Sequence, residues 1–217
     1  MTSGVERLAA VIEVLDDGRR LSPSHDPIAE LVGTILSQNT RDSDRVYHAL
    51  RAALPTWESV RDAPEPLLVE VLRPGGLARV KAHRIVLALN AITDRVGQLD
   101  LSHLAALPPA EAWAWLAKLP GVGPKTAACV LLFGLGQPVL PVDDHVHRCL
   151  TRLGVVPPGL TPQQSHAAVQ TALGDDVQSI YVLHTRLHRL SRQVCQPYVP
   201  RCDECPLAAL CAYNTGE

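Results

Sequence analysis

Apolar residues recur along this chain at separations of three and four, with polar residues filling the gaps, a pattern that predicts helices. Val5, Leu8, Ile12 and Leu15 fall on one face of a first helix. Asp26-Pro27 pairs a capping side chain with a proline suited to the first helical position, and Ile28, Leu31, Val32, Ile35 and Leu36 then trace one stripe. Arg79 to Val96 predicts a helix stopped by Gly97, and Pro109 opens another that carries Trp113 and Leu116. Thr161-Pro162 begins a helix that ends near Gly174, and Val177 to Val194 predicts a long one with Ile180, Leu183, Leu187 and Leu190 turned inward. No stretch alternates with the strand period, and there is no internal repeat or low-complexity linker. The pattern amounts to about ten helices of ordinary length, an all-α fold.

A chain of 217 residues, 47% hydrophobic, can bury a sizeable core as one large domain or two small ones. The formal net charge of -2 excludes a uniformly basic protein but leaves room for a local basic face. The 20 basic residues are 17 Arg and 3 Lys, the lysines being Lys81, Lys118 and Lys125. Arginine suits bidentate contact with phosphate, although compositional bias alone also explains most of the set. The N-terminus lacks a basic, apolar and cleavage pattern, and the apolar run from Ala127 to Leu135 is too short to cross a bilayer. A cytoplasmic protein with reduced cysteines and no membrane partner is the expectation.

Leu119-Pro120-Gly121-Val122-Gly123 stands between two predicted helices, where glycines supply positive φ and close backbone approach. Pro124 fits the first position of the second helix. Open N–H groups in such a turn, together with the helix dipole, suit an anion such as phosphate. An ordinary helical hairpin is the plain alternative. Lys125 then sits in the first turn, where the dipole opposes a cation by ~0.3–1 kcal/mol when exposed. The same field favours the uncharged amine, the form that attacks carbon to give a Schiff base. A solvated lysine that tolerates the penalty is the bland reading. Asp143 lies at the mouth of the next helix, as a cap or as a carboxylate that accepts a proton.

Cys195, Cys202, Cys205 and Cys211 form C-x6-C-x2-C-x5-C. Four clustered cysteines suit tetrahedral zinc or an iron–sulfur cluster, and a single C-x2-C knuckle is one short of the usual zinc ribbon. Cys129 and Cys149 lie in apolar helical settings and read as core.

The run Leu119-Pro120-Gly121-Val122-Gly123-x-Lys125-Thr126-Ala127, followed by Val142-Asp143-x-His145, resembles the helix-hairpin-helix DNA glycosylases, in particular the endonuclease III branch. The cysteine spacing resembles that branch independently. The resemblance implies a nucleophilic lysine at Lys125, a catalytic aspartate at Asp143 and a [4Fe–4S] cluster on Cys195, Cys202, Cys205 and Cys211. Within Ile35-Leu36-Ser37-Gln38-Asn39-Thr40 it implies that Gln38 fills the gap left by a flipped base, and within Gly76-Leu77 that Leu77 wedges into the opposite strand. The hairpin backbone at Gly121, Val122 and Gly123, with His145, Arg148 and Arg201, would complete the DNA contacts.

The implied fold has two lobes. A six-helix barrel spans 26–137, with the helix-hairpin-helix near 108–135. A discontinuous lobe joins 1–25 to 138–217 and holds the cluster over 195–211. Lys125 and Asp143 would face each other across the cleft. The implied activity is removal of oxidised pyrimidines from double-stranded DNA and β-elimination at abasic sites, by a monomer associated with the nucleoid. The rivals are a monofunctional mismatch or uracil/thymine glycosylase on the same fold and a non-catalytic DNA-binding module. The sequence departs from the family pattern at Pro124, at Ala78, at Leu190-Ser191-Arg192 and in a loop between Cys195 and Cys202 with Arg201 as its only cation.

Overall fold

The computed structural model describes residues 4–40 and 42–216 and leaves out the side chain of Val5, so the expected inward position of Val5 lies outside the description. Among the described residues every regular element is helical. The α-helices are α1 (Gly4–Leu15), α2 (Pro27–Ser37), α3 (Ser43–Ala53), α4 (Trp57–Arg61), α5 (Glu65–Leu72), α6 (Ala78–Val96), α7 (Pro109–Leu116), α8 (Pro124–Cys129), α9 (Asp144–Leu153), α10 (Pro162–Leu173), α11 (Val177–Gln193) and α12 (Ala212–Thr215).

Local chemistry fixes the starts of these helices. The Asp26 carboxylate accepts the Ala29 N–H at 2.8 Å and Pro27 takes the first position of α2. Thr161 and Gln164 close a capping box on α10. The apolar run after Pro124 does not stay α-helical: α8 passes into a π-helical turn, Val130–Gly134. Glycine is required where that turn ends, because a Cβ on Gly134 would lie 2.9 Å from the Pro27 Cα.

The chain divides into two compact units, Pro23–Gln137 and Met1–Ser22 with Pro138–Glu217. In the first, α2 packs on α3, α6 and α8, and Ile28, Leu31, Val32, Ile35 and Leu36 are all buried. Each such side chain contributes about 1.5–3 kcal/mol by leaving water. In the second, α11 packs on α1 and α9, with Ile180, Leu183 and Leu187 buried. Leu190, expected inward, is half-buried, one turn before α11 ends. Arg7 ties α1 to the end of α9 through a 2.9 Å bond from Nη1 to the Leu153 carbonyl.

Candidate active site

The segment after α7 is a tight turn. Val122 N–H reaches the Leu119 carbonyl at 3.2 Å, Pro120 takes the second turn position and Gly121 the third, with φ +75°. This is the pattern of a type II turn, whose third residue needs positive φ. A side chain at Gly121 would also meet Arg84, whose Cγ lies 3.1 Å from the Cβ position. The expectation of positive φ does not hold for Gly123, which has φ -90° and ψ 174°. It is the N-cap of α8, where extended backbone is ordinary and no left-handed conformation is needed. Val122 also departs from the expected anion cradle: its N–H is used in the turn and its side chain is buried. Lys125 follows at the second position of α8 and is half-buried. Trp113 of α7 braces this start by donating Nε1–H to the Pro124 carbonyl at 3.3 Å.

Gln38 and Leu77 belong to the same unit as the hairpin. Gln38 closes the C-terminus of α2, and its Oε1 accepts from Arg84 Nη1 at 2.7 Å. The next residue, Asn39, has φ +51°. Leu77 precedes α6 with φ +53° and is 53% exposed. A leucine that is both left-handed and open to solvent is strained and gains little from burial, a combination that concentrates at functional positions. Between these two points lies Lys81, which is 1% exposed. Its Nζ donates to the Leu36 carbonyl at 2.8 Å and the Gly75 carbonyl at 2.9 Å, and burial pushes its pKa down.

Asp143 lies in the other unit. Its backbone is extended and its Oδ1 accepts the N–H groups of His145 at 3.0 Å and Val146 at 2.9 Å, so it caps α9. Its Oδ2 lies 3.9 Å from Nε2 of His188 on α11. His145 packs edge-on against His188 with ring centroids 5.5 Å apart. Arg148 points at backbone, donating from Nε to the Cys195 carbonyl at 3.1 Å and from Nη2 to the Ser191 carbonyl at 3.0 Å.

The four C-terminal cysteines line one pocket together with Arg152 and Tyr213. Among the described residues no group of three or more His, Cys, Asp or Glu converges closely enough to hold a single ion. Arg152 organises the first of the four cysteines: Nη1 lies 3.4 Å from Cys195 Sγ and 2.7 Å from the Gln196 carbonyl, while Nη2 reaches the Pro197 carbonyl at 2.7 Å. A hydrogen bond with the buried Cys149, helped by Arg152, lowers the Cys195 pKa to about 5 and pushes Cys149 well up. Burial raises Cys205 and Cys211, and negative charge on neighbouring cysteines raises them further. A site with Cys195 favoured as thiolate, and with Cys205 and Cys211 held toward the thiol by burial and neighbouring negative charge, is suited to a positively charged metal centre. Arg201 is exposed but engaged: Nη1 bonds Glu204 Oε1 at 3.0 Å and Nη2 bonds the Gln193 carbonyl. Tyr198 and Val199 form the exposed tip of this loop, at 94% and 74%.

The model of the HhH-GPD superfamily base excision DNA repair proteins matches residues 32–174, a span that includes the hairpin, Lys125 and Asp143. The chain is 32% identical over 211 residues to endonuclease III of Thermotoga maritima, covering 96% of this chain and 92% of that protein. This chain belongs to the HhH-GPD superfamily of base excision DNA repair proteins. A solved trapped endonuclease III–DNA covalent intermediate superposes with a TM-score of 0.77 at 26% identity, over 100% of this chain and 99% of that one. A thermostable thymine-DNA glycosylase superposes with a TM-score of 0.78 at 18% identity, over 98% of both chains, and shares the fold.

As an HhH-GPD glycosylase, the protein keeps Lys125, Gln38, Leu77 and the hairpin on one unit, and Asp143, His145, Arg148, Arg201 and the four cysteines on the other. Lys81, Arg84, Arg152 and His188 escaped the motif-based reading. Lys81 did leave a signal: with Ile85, Ala88 and Ile92 it completes the buried stripe of α6, so a lysine occupies an apolar position. Arg84, Arg152 and His188 left none, since their partners lie 33 or more positions away in the chain.

Proposed function

We propose that this HhH-GPD protein is a bifunctional DNA glycosylase and abasic-site lyase acting as a monomer on oxidised pyrimidines in double-stranded DNA. Lys125 carries the reading: a half-buried primary amine in the first turn of α8, directly after the type II turn of the hairpin. The target nucleotide is flipped out of the stack, with Gln38 filling the vacancy and Leu77 wedging into the opposite strand. The uncharged amine of Lys125 attacks C1′ as the bond to the base breaks, and Asp143 accepts the proton that the nitrogen sheds. Opening of the sugar gives a Schiff base, and loss of a C2′ proton expels the 3′ phosphate. The turn backbone at Gly121 and Gly123 takes a phosphate, while His145 stands at the start of α9 for another.

Cys195, Cys202, Cys205 and Cys211 would hold a [4Fe–4S] cluster. Four cysteines around one pocket, with a single C-x2-C knuckle, support a cubane over a zinc ribbon, which usually shows two such knuckles. When bound, such a cluster serves here as a structural cross-link between the end of α11 and the C-terminal turns.

Borohydride trapping on an abasic-site duplex tests the reading. The expected product is a covalent protein–DNA adduct at Lys125 that Lys125→Ala eliminates. An adduct mapped to Lys118, or one that persists in the variant, removes Lys125 from the role. Base release without any adduct or strand cleavage favours the monofunctional alternative.

A further inference from the structure

The two oxygens of Asp143 have different surroundings. Oδ1 holds the start of α9 through the N–H groups of His145 and Val146. Oδ2 faces α11, with His188 Nε2 at 3.9 Å, and the two side chains are 21% and 35% exposed. His188 lies between two other imidazoles, edge-on to His145 and stacked on His184 at 5.9 Å. In each neighbour one ring nitrogen is turned away from solvent. His184 is buried and its Nδ1 lies 2.8 Å from the Pro141 carbonyl, so that nitrogen carries the hydrogen. His145 Nδ1 is buried with no hydrogen-bond partner, so a charged His145 would bury an unmatched N–H. His188, a third exposed, is the member of the trio open both to solvent and to Asp143.

We infer that His188 is the proton relay of Asp143 during base release. The inference rests on the role proposed above for Asp143. The proton shed by the attacking amine forms an O–H bond at Oδ2. That bond breaks as an N–H bond forms at Nε2 of neutral His188, and the imidazolium then releases the proton to buffer. The carboxylate and the neutral imidazole are both restored, and no oxidant or reductant is involved. One water or a small side-chain rotation spans 3.9 Å, and such contacts tighten in the substrate complex. His188 acts through Asp143 and not on the nucleotide.

The relay requires His188 to be neutral, so base release should rise with pH through the window of about 5 to 8 in which histidines titrate. The titratable groups facing His188 include Asp143 and His145 at the start of α9 and His184 one turn earlier on α11. Nearby guanidinium groups are engaged elsewhere: Arg148 with the Ser191 and Cys195 carbonyls, Arg152 with the Gln196 and Pro197 carbonyls, Arg186 with Asp17 and Arg189 with Gln193.

The test is single-turnover base release from a duplex carrying one thymine glycol, across pH 5 to 8.5, for the wild type, His188→Gln, His188→Phe and Asp143→Asn, with affinity for an uncleavable abasic-analogue duplex measured alongside. The relay predicts that both His188 variants lose about tenfold at the pH plateau and keep only the rise with pH that the Lys125 amine contributes, while affinity stays within twofold. Retention of the wild-type plateau and limb by either variant overturns the relay. A loss of affinity that matches the loss of rate also overturns it, because His188 is then a DNA contact. If Asp143→Asn releases base at the wild-type rate, or the wild type releases none, the proposed function falls first and the relay with it.

Discussion

Replacing Asp143 by Asn separates its capping of α9 from the proton-accepting role proposed for it. The amide oxygen can still accept the His145 and Val146 N–H groups that Oδ1 now holds, so the thermal midpoint should stay within a few degrees of wild type. Base release should fall by about a hundredfold or more, because an amide accepts no proton. Asp143→Ala should add a stability loss of about 1 kcal/mol for the missing cap. A wild-type rate in the Asn variant would reduce Asp143 to a cap. Lys125→Ala poses the complementary test, since a surface-facing position in a first turn costs within about 0.5 kcal/mol. Strand cleavage should vanish while DNA affinity and melting change little. The chain has only three lysines and Lys81 is buried, so adduct mapping has few alternatives. The placement of these two residues was legible in the sequence because it is local: each stands beside a turn or cap that a short motif specifies. His188 was not legible, because the rotation that turns it toward Asp143 depends on how α11 packs against α9.

Helix α6 organises the tip of its unit with two cations one turn apart. Lys81 holds the carbonyls of Leu36 and Gly75, and Arg84 holds the Gln38 side chain while its stem lies against Gly121. The periodicity of α6 was readable over its whole length, but a lysine inside the apolar stripe looks like an interruption until its two acceptors are seen. The burial of Lys81 has a pH consequence. Its native pKa is depressed below 10.5, so as pH rises through the native value the folded protein loses a proton that the unfolded chain still keeps. The unfolded state then binds more protons, and folding stability gains with pH up to the ordinary lysine range. The difference in denaturation free energy between wild type and Lys81→Met should therefore widen from pH 8 to 10.5; a difference that stays flat would mean Lys81 is charged in the fold throughout. Lys81→Met should also weaken discrimination between damaged and intact duplexes, since Leu77 and Gln38 lose their common anchor. Gly123 shows the opposite limit of legibility: the motif named the glycine, while its backbone conformation turned out ordinary.

At the scale of the whole molecule, the two units give separate spectroscopic signals. Trp57, Trp113 and Trp115 all lie in Pro23–Gln137, while the cysteines lie in the other unit. Cys202→Ser should remove bound iron and lower helical circular dichroism from the discontinuous unit, yet leave tryptophan emission near its native wavelength. Loss of both signals together would show that the cysteine site supports the entire chain. Arg201→Ala should change the salt slope of DNA binding by about one unit or less, because its guanidinium is held by Glu204 and the Gln193 carbonyl. The all-α class and most helix ends were open to sequence reading through caps, prolines and the 3.6-residue period. The partners of Arg148 and Arg201 were not, since charge alone does not say which acceptor a guanidinium finds.

The discontinuous unit also sets an order of events on the ribosome. Residues 4–22 leave the tunnel before the contiguous unit, but α11, the helix on which α1 packs, is made more than 150 residues later. At about 5–20 residues per second, Leu8, Val11 and Leu15 wait on the order of ten seconds for their partner. The contiguous unit is complete in the meantime, so translation divides maturation into an early autonomous stage and a late one that closes around the N-terminal segment. The cysteines emerge in that last stage, so the cluster proposed for them would form only after the contiguous unit is made, while the apolar face of α1 still waits for α11.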